Sequence, residues 1–189
     1  MRARAWSTAL LVSALLLAGC GGVTAKSAAP PASAVSSAFR GSPPVLASLH
    51  SRADQLLGGG LRAFRAQLTA LHGYPVVVNK WASWCGPCQS EFPIFQKASV
   101  KLGRQVAFVG LDGRDGNGSA AAFLHRFPVS YPSYTDPHES IASAFAASTY
   151  YPQTLFFSRR DHTSYVYDHA GPYLSVAALE NDINRYALR

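Results

Sequence analysis

The strongest constraint on the fold is a run of apolar, β-prone residues that leads into a Cys-x-x-Cys pair. Residues 76–81 read Val-Val-Val-Asn-Lys-Trp, and the pair is Cys85 and Cys88. A short, nearly continuous apolar run is typical of a strand that is covered on both faces. Pro87 fits the first turn of a helix, where its missing N–H group would have no partner in any case. The sequence therefore predicts a buried strand, a short loop and a helix that begins near Cys85.

This position would activate Cys85. The unpaired N–H groups at a helix start and the positive end of the helix dipole favour the thiolate form of a cysteine there. Cys88 lies about one helical turn later on the same face, so its sulfur can reach that of Cys85. A thiolate attacks a disulfide to form a mixed disulfide, which a second thiol then resolves. We predict that Cys85 is the nucleophile and Cys88 the resolving thiol of a thiol-disulfide exchange site.

Two other roles for the pair are a zinc half-site and a pair of inert, buried cysteines. A tetrahedral zinc site needs four ligands, and the chain has neither a second Cys pair nor histidines at His-x3-His spacing. Attachment of a c-type haem needs a histidine directly after the second cysteine, where Gln89 stands. We expect no metal and no cofactor, and we expect the six histidines at the surface or in satisfied loop positions.

The N-terminus has the layout of an export signal. Arg2 and Arg4 precede an uncharged stretch, residues 5–19, that is short for a transmembrane helix. The sequence Leu-Ala-Gly-Cys at 17–20 resembles a bacterial lipobox, in which the cysteine is lipidated and becomes the mature N-terminus. We therefore predict a lipoprotein signal peptide at 1–19 and lipidation of Cys20. An ordinary cleaved signal and an uncleaved anchor are the alternatives, and both also place the rest of the chain outside the cytoplasm.

Composition separates a tether from a domain. Residues 21–44 are rich in Ala, Ser, Pro and Gly, so they cannot bury enough apolar surface to fold. Together with lipidated Cys20 they are predicted to form a flexible linker at 20–44. The remaining residues, 45–189, are enough for one packed domain in a chain that is 48% hydrophobic. We expect this domain in the extracytoplasmic cell envelope, anchored to the membrane by lipid.

The charge of the chain argues against a nucleic-acid partner. The chain has 17 basic and 10 acidic residues, and loss of Arg2 and Arg4 with the signal leaves 15 − 10 = +5. The basic residues are scattered along the chain and form no run with interleaved aromatic residues. We expect a solvated basic face and no nucleic acid, with weak attraction to an anionic membrane surface as the alternative.

Residue periodicity predicts an α/β domain. Apolar spacing and cap signals indicate helices beside the one at Cys85, at about 46–56, 61–71, 120–127, 137–147 and 176–186. Further strands are indicated at 105–111, 155–158 and 164–167. The strand-helix-strand order implies parallel pairing of the first two strands, and a polar turn implies an antiparallel hairpin for the last two. We predict a mixed central β-sheet flanked by helices on both faces.

Residues 81–88, Trp-Ala-Ser-Trp-Cys-Gly-Pro-Cys, resemble the active-site signature of the thioredoxin superfamily. The continuation at 89–93, Gln-Ser-Glu-Phe-Pro, resembles the TlpA/ResA-like branch, membrane-anchored thiol-disulfide oxidoreductases of the bacterial envelope. The resemblance extends from about Tyr74 to the C-terminus. It implies a thioredoxin-like fold, protein disulfides or dithiols as substrates, and a membrane electron donor.

The resemblance also implies roles for residues away from the pair. In this branch a glutamate at the position of Glu91 handles protons near the cysteines, and a solvated carboxylate at the helix start is the alternative. Asn79 stands where thioredoxin has a buried aspartate; it cannot take a proton, which strengthens Glu91 as the candidate. Pro152 matches the family's cis-proline, whose neighbouring backbone holds an extended substrate segment.

Aromatic residues complete the expected site. Tyr151 precedes Pro152 where the family has a smaller residue, so it would shield the disulfide or select apolar substrates. Trp84 is expected to shelter the cysteine pair and Trp81 to lie in the core. Lys80 is expected to point to solvent.

The predicted function is a cell-envelope thiol-disulfide oxidoreductase that reduces protein disulfides, in cytochrome c maturation or in envelope redox homeostasis. A dithiol oxidase or isomerase is the first alternative, because the direction of exchange depends on reduction potential and partners. A peroxide-reducing enzyme is the second, although Val78 and Ala82 stand where peroxiredoxins have proline and threonine. A non-catalytic, tethered interaction module is the third.

Overall fold

A six-stranded mixed sheet forms the centre of the computed structural model, which describes residues 30–147 and 149–189. The strands are β1 (Leu56–Leu57), β2 (Val76–Trp81), β3 (Ala107–Gly113), β4 (Ser133–Asp136), β5 (Gln153–Phe157) and β6 (Tyr167–Ala170). They lie in the order β1-β4-β3-β2-β5-β6. The first four strands of that order pair in parallel, whereas β5 and β6 join as antiparallel neighbours.

Seven helices connect and cover the strands in the described part of the chain. They are α1 (Ala32–Ala38), α2 (Pro44–His50), α3 (Gly60–Ala70), α4 (Gly86–Leu102), α5 (Asn117–Arg126), α6 (Ser140–Ala144) and α7 (Val176–Asp182). A π-helical turn at Ile183–Ala187 continues α7. The signal peptide predicted at 1–19 and Cys20 lie outside the described residues. Within those residues, no helix has the length and apolar character needed to cross a membrane.

Strand β2 shows why helices cover both faces of the sheet. Successive side chains of a strand point to opposite faces, and every residue of β2 is buried. Val77 and Trp81 pack in one core with residues of α4, α5 and α7. Val76 and Val78 pack in a second core with residues of α2, α3 and α6. The predicted α/β class, the parallel pairing of β2 with β3 and the burial of Trp81 are therefore confirmed.

Other elements differ from their predictions at the boundaries. The helix predicted over 46–56 ends at His50, and Leu56 pairs in the short strand β1 beside Ser133. The sequence does not predict strand β4, because its four residues directly follow Pro132 in a stretch where Pro and Ser favour turns. The helix predicted over 137–147 is confined to α6, although Asp136 does accept hydrogen bonds from the backbone N–H groups of Ile141 and Ala142.

Part of the predicted linker is packed against the domain. Residues 32–38 form α1, and the ring of Phe39 stacks on that of His50 at 3.7 Å between centroids. The Nε2 atom of His50 lies 2.9 Å from the carbonyl oxygen of Gly103, just beyond α4. The low hydrophobicity of 21–44 indicates an unfolded segment. Near the end of this segment, however, the ring of Phe39 packs against that of His50.

This docking predicts that Gly103→Ala destabilises the domain. A Cβ atom at Gly103 would lie 2.5 Å from the backbone carbonyl oxygen of Ser99, 2.8 Å from Phe39 Cε1 and 2.9 Å from His50 Cε1, so the end of α4 and both rings must shift. We expect a loss of about 1–3 kcal/mol in the free energy of unfolding in urea, which is typical of overpacking. Gly118→Ala is the matched control, since a Cβ there meets nothing within 4 Å. Equal stability of the two variants would show that the surroundings of Gly103, including the stack of Phe39 on His50, are not closely packed in the folded protein.

Candidate active site

The cysteine pair lies at the start of α4, as predicted. Cys85 is the N-cap residue, and its Sγ accepts a hydrogen bond from the backbone N–H of Cys88 at 3.1 Å. The two residues form a disulfide, with 5.3 Å between their Cα atoms. Cys85 is 4% exposed and Cys88 is fully buried. An incoming group can therefore approach the sulfur of Cys85 more readily than that of Cys88.

Glu91 is fully buried and belongs to the site through two hydrogen bonds. Its Oε1 accepts from Asn79 Nδ2 at 3.0 Å, and its Oε2 accepts from the backbone N–H of Tyr173 at 3.1 Å. Burial raises the pKa of Glu91 to about 8, although the two hydrogen bonds oppose the shift. The alternative of a solvated carboxylate is therefore wrong. Glu91 shares α4 and its buried side with Cys88, three residues earlier.

The Tyr151–Pro152 peptide bond is cis, as the resemblance predicts. Pro152 is buried and directly precedes β5, which pairs with β2 so that Gln153 lies opposite Lys80. The cis-proline loop and the loop that carries the cysteines therefore lie at the same end of these two strands.

Lys80 does not point to solvent, contrary to the prediction. Its side chain is fully buried, and Nζ lies 3.1 Å from Glu139 Oε1 and 4.0 Å from the centroid of the Tyr151 ring. Burial lowers the pKa of Lys80, and its hydrogen bond with Glu139 opposes this effect. Both faces of β2 are covered, so neither face is open to solvent. Lys80 is therefore buried like Val78, two residues earlier on the same face of the strand.

Tyr151 and Trp84 are in contact with each other. Their ring centroids are 5.1 Å apart, and Trp84 is 55% exposed. The hydroxyl group of Tyr151 donates a 2.8 Å hydrogen bond to Glu139 Oε1. Burial raises the pKa of Tyr151 far above its ordinary value, and the bond to Glu139 adds to the rise. The roles of Trp84 as a shelter and of Tyr151 in substrate choice stay predictions.

Sequence reasoning missed a carboxylate that holds the loop before Cys85. Asp115 accepts hydrogen bonds from the backbone N–H and the hydroxyl group of Ser83, at 2.5 and 2.7 Å. Asp112 lies beside it, and burial together with Asp115 raises the pKa of Asp112 to about 8. The signal was two aspartates at the end of the second parallel strand: Asp112 is the next-to-last residue of β3, and Asp115 lies in the Gly-rich loop that follows, beside the cysteine loop.

Histidines and metals add no second site in the described residues. His162 is nearly buried, and its ring nitrogens lie 2.7 and 3.0 Å from the carbonyl oxygens of Leu68 and Tyr74. This matches the expectation of a satisfied loop position. Over residues 30–147 and 149–189, no three His, Cys, Asp or Glu side chains are grouped to hold a metal ion.

Relatives with a similar sequence carry names of thiol-disulfide enzymes. A DsbE homolog of Paracoccus denitrificans, a thiol:disulfide interchange protein, is 33% identical over 98 residues, which are 51% of this chain and 50% of that protein. The thiol-disulfide oxidoreductase ResA of Bacillus subtilis is 27% identical over 85 residues, which are 44% of this chain and 48% of ResA. The matched region thus spans half or less of each of these relatives.

Solved structures agree with the fold. The structure of MTB DsbF has a TM-score of 0.55 and 26% identity, and it covers 61% of this chain and 83% of that one. A secreted Mycobacterium tuberculosis disulfide oxidoreductase homologous to E. coli DsbE has a TM-score of 0.54 over 62% of this chain and 85% of that one. At 20% identity, the second match supports the fold alone.

A protein-family model settles the family. The model described as the AhpC/TSA family matches residues 62–166, which are 105 of the 189 residues. This range contains β2, the cysteine pair, the cis-proline loop and β5. The chain has a thioredoxin-like fold and belongs to the AhpC/TSA family.

Proposed function

We propose that the protein is a cell-envelope thiol-disulfide oxidoreductase that reduces protein disulfides through Cys85 and Cys88. The observation that carries the proposal is the cysteine pair itself. One sulfur caps α4 and receives a backbone N–H, and the other is enclosed within bonding distance of it. The names of the DsbE and ResA relatives support the same chemistry.

The reaction begins with the reduced pair. The Cys85 thiolate attacks one sulfur of a substrate disulfide, forming a Cys85-substrate bond while the substrate S–S bond breaks and its leaving sulfur takes a proton. Cys88 then loses its proton and attacks Cys85 Sγ, which releases the second substrate thiol and leaves the Cys85–Cys88 disulfide. The pair gives two electrons to the substrate; of the two protons that the substrate sulfurs gain, one comes from Cys88 and the other from solvent, which received it when Cys85 ionised. A membrane dithiol donor is proposed to return the electrons.

Glu91 is the proposed proton acceptor for Cys88. Its high pKa allows it to gain and lose a proton near neutral pH, and it lies on the same side of α4. Trp84, Tyr151 and Pro152 are the proposed substrate-binding residues, because Trp84 directly precedes Cys85 and contacts Tyr151, which precedes cis-Pro152 at the same end of β2 and β5.

The proposed location is the extracytoplasmic face of a membrane. We propose that residues 1–19 are a signal peptide, that Cys20 carries lipid, and that residues 20–44 tether the domain at 45–189, with Phe39 of the tether lying against His50. Apocytochromes in cytochrome c maturation and oxidised envelope proteins are the proposed substrates. Membrane fractionation of wild type and Cys20→Ala tests the anchor, since loss of lipid should release the domain.

Peroxide reduction is the second candidate, because peroxiredoxins share the fold. Val78 and Ala82 are buried and apolar at the positions where a peroxide site needs proline and threonine. We therefore expect the purified protein to reduce insulin disulfides faster than it consumes hydrogen peroxide. A reversed order of the two rates would overturn the proposal. Equilibration with glutathione buffers then separates a reductase from an oxidase, and a strongly oxidising potential would reverse the direction.

A further inference from the structure

Glu139 joins several chain segments at one end of the sheet, the end where β2 leads to the cysteine pair. Its Oε1 lies 3.1 Å from Lys80 Nζ and 2.8 Å from the Tyr151 hydroxyl group, which donates to it. Its Oε2 accepts a 2.6 Å hydrogen bond from Arg114 Nε. Lys80 lies in β2, Arg114 follows β3, Glu139 follows β4 and Tyr151 precedes β5. We refer to these four residues as the Glu139 network.

The Glu139 network leads to Trp84, which directly precedes the nucleophile. The Tyr151 ring has the Lys80 ammonium group 4.0 Å from its centroid and the Trp84 ring 5.1 Å away. The indole N–H of Trp84 donates to the backbone carbonyl of Arg114 at 3.4 Å. Two contacts of Trp84 therefore end on residues that Glu139 holds.

The backbone around the network is shaped to receive Tyr151. A Cβ atom at Gly113 would lie 2.0 Å from the Tyr151 hydroxyl oxygen, so only glycine leaves room for the ring. Arg114 and Glu139 both have left-handed backbone, with φ of +58° and +53°. Such conformations are unfavourable for residues other than glycine and persist where surrounding contacts impose them. The ion pair of the two side chains is such a contact.

The exposed side chain of Trp84 contacts this network, and so does the backbone of Tyr150. Trp84 is 55% exposed, and Tyr150 is 70% exposed while its backbone carbonyl lies 3.4 Å from Lys80 Nζ. Large aromatic side chains whose position is held in advance are effective binding groups, because little conformational entropy is lost when a partner docks. Their chemistry suits an apolar or aromatic segment of a polypeptide.

We propose that Lys80 and Glu139 are positioning residues that hold Trp84 and Tyr151 as a fixed aromatic wall beside Cys85. This wall selects disulfides that lie in an extended polypeptide with apolar or aromatic flanks over small disulfides. The inference rests on the proposed function. Buried Lys80 takes no part in the exchange steps proposed above, and its role here is to hold the aromatic wall in place.

The test compares three disulfide substrates with the full-length protein. The first is a peptide with aromatic residues flanking its disulfide, the second is the same peptide with glycine and serine flanks, and the third is oxidised glutathione. We expect wild type to prefer the aromatic peptide by about tenfold in kcat/KM, the scale of one or two aromatic contacts. The preference should appear in KM, since the wall binds the flanks and leaves the exchange step unchanged.

Three variants disturb the wall in different ways. Tyr151→Phe removes the hydrogen bond to Glu139, Gly113→Ala displaces the ring, and Glu139→Gln removes the charge that faces Lys80. Each is expected to raise KM for the aromatic peptide about three- to tenfold. Glu139→Gln and Gly113→Ala, which leave the proposed substrate-binding residues themselves unaltered, should change kcat/KM for oxidised glutathione less than about twofold. Gly118→Ala, where a Cβ meets nothing within 4 Å, should leave all three substrates unchanged.

The outcomes separate this inference from the proposed function. A wild type that reduces none of the substrates contradicts both. A wild type that reduces all three, with variants that lose activity equally on each, shows a structural role only and overturns the wall. Variants that retain the full preference overturn it as well. If Glu139→Gln fails to fold because Lys80 is left buried without its counter-charge, Tyr151→Phe and Gly113→Ala decide.

Discussion

Cys85→Ser is expected to abolish disulfide reduction, whereas Cys88→Ser is expected to stop the reaction halfway. Without Cys85 no nucleophile remains at the N-cap of α4, and turnover should fall by roughly 10³-fold or more, as when a catalytic nucleophile is removed. Without Cys88 the thiolate of Cys85 still attacks, but no thiol can resolve the mixed disulfide. Insulin reduction should be lost in both variants, and only Cys88→Ser should accumulate covalent adducts.

The difference in burial sharpens this expectation. Cys88 is fully buried, so in the Cys85→Ser variant its sulfur is enclosed and should capture few partners. Both variants are expressed in cells with Cys20 in place, so that the proposed anchor is kept, and a variant with both Cys85→Ser and Cys88→Ser measures any adducts that form through Cys20. Partners are then recovered from non-reducing gels and identified by mass spectrometry. Equal capture by the two variants would contradict the assignment of Cys85 as the nucleophile and Cys88 as the resolving thiol. Capture by neither variant would contradict the proposed enzymatic function.

The fold could be predicted where the residues of a segment determine its secondary structure by themselves. The apolar run of β2 and the proline after Cys85 are local signals, and both elements lie where they were expected. Strands β1 and β4 were missed because β1 pairs only with β4, and β4 with β1 and β3, across long sequence separations. Leu56 fits a helical spacing equally well, and only its partner Ser133 makes it a strand residue.

Residue spacing predicted only the part of the site that is local in sequence, whereas cis-Pro152 was predicted by the resemblance to the thioredoxin superfamily. Cys85, Cys88 and Glu91 share one helix, so spacing alone places them together. The contacts of Lys80 with Glu139 and of Ser83 with Asp115 join residues 59 and 32 positions apart, from 139 − 80 and 115 − 83. Such pairs become visible only when the parallel strands bring their carboxyl ends to one edge of the sheet.

Glu91→Gln is expected to change how stability depends on pH. An unfolded glutamate has its pKa near 4.5, and burial raises that of Glu91 to about 8 in the folded protein. Between these values the folded state keeps a proton that the unfolded state has lost, so stability falls as pH rises. The difference corresponds to about 5 kcal/mol between pH 4.5 and 8, at 1.36 kcal/mol for each pKa unit.

Glutamine reproduces the neutral acid, because its carbonyl oxygen can accept from the Tyr173 N–H and its amide group can bond to the Asn79 side chain. The two proteins should therefore have similar free energies of unfolding near pH 5, and Glu91→Gln should be more stable by several kcal/mol near pH 9. Asp112→Asn is the matched control, since Asp112 is also buried with a pKa of about 8. It should remove a similar share of the pH dependence and leave that of Glu91 in place.

Urea unfolding is measured from pH 5 to 9 with the Cys85–Cys88 disulfide intact, so that titration of the thiols does not contribute. Asp54, whose burial raises its pKa to about 6, contributes equally to all the variants. Parallel stability curves for wild type and Glu91→Gln would show that the carboxyl group ionises normally in the folded protein. A glutamate with a normal pKa near 4.5 is a much weaker base than one with a pKa of about 8, so it would take a proton from Cys88 far less readily. The proposed proton transfer from Cys88 to Glu91 would then be wrong.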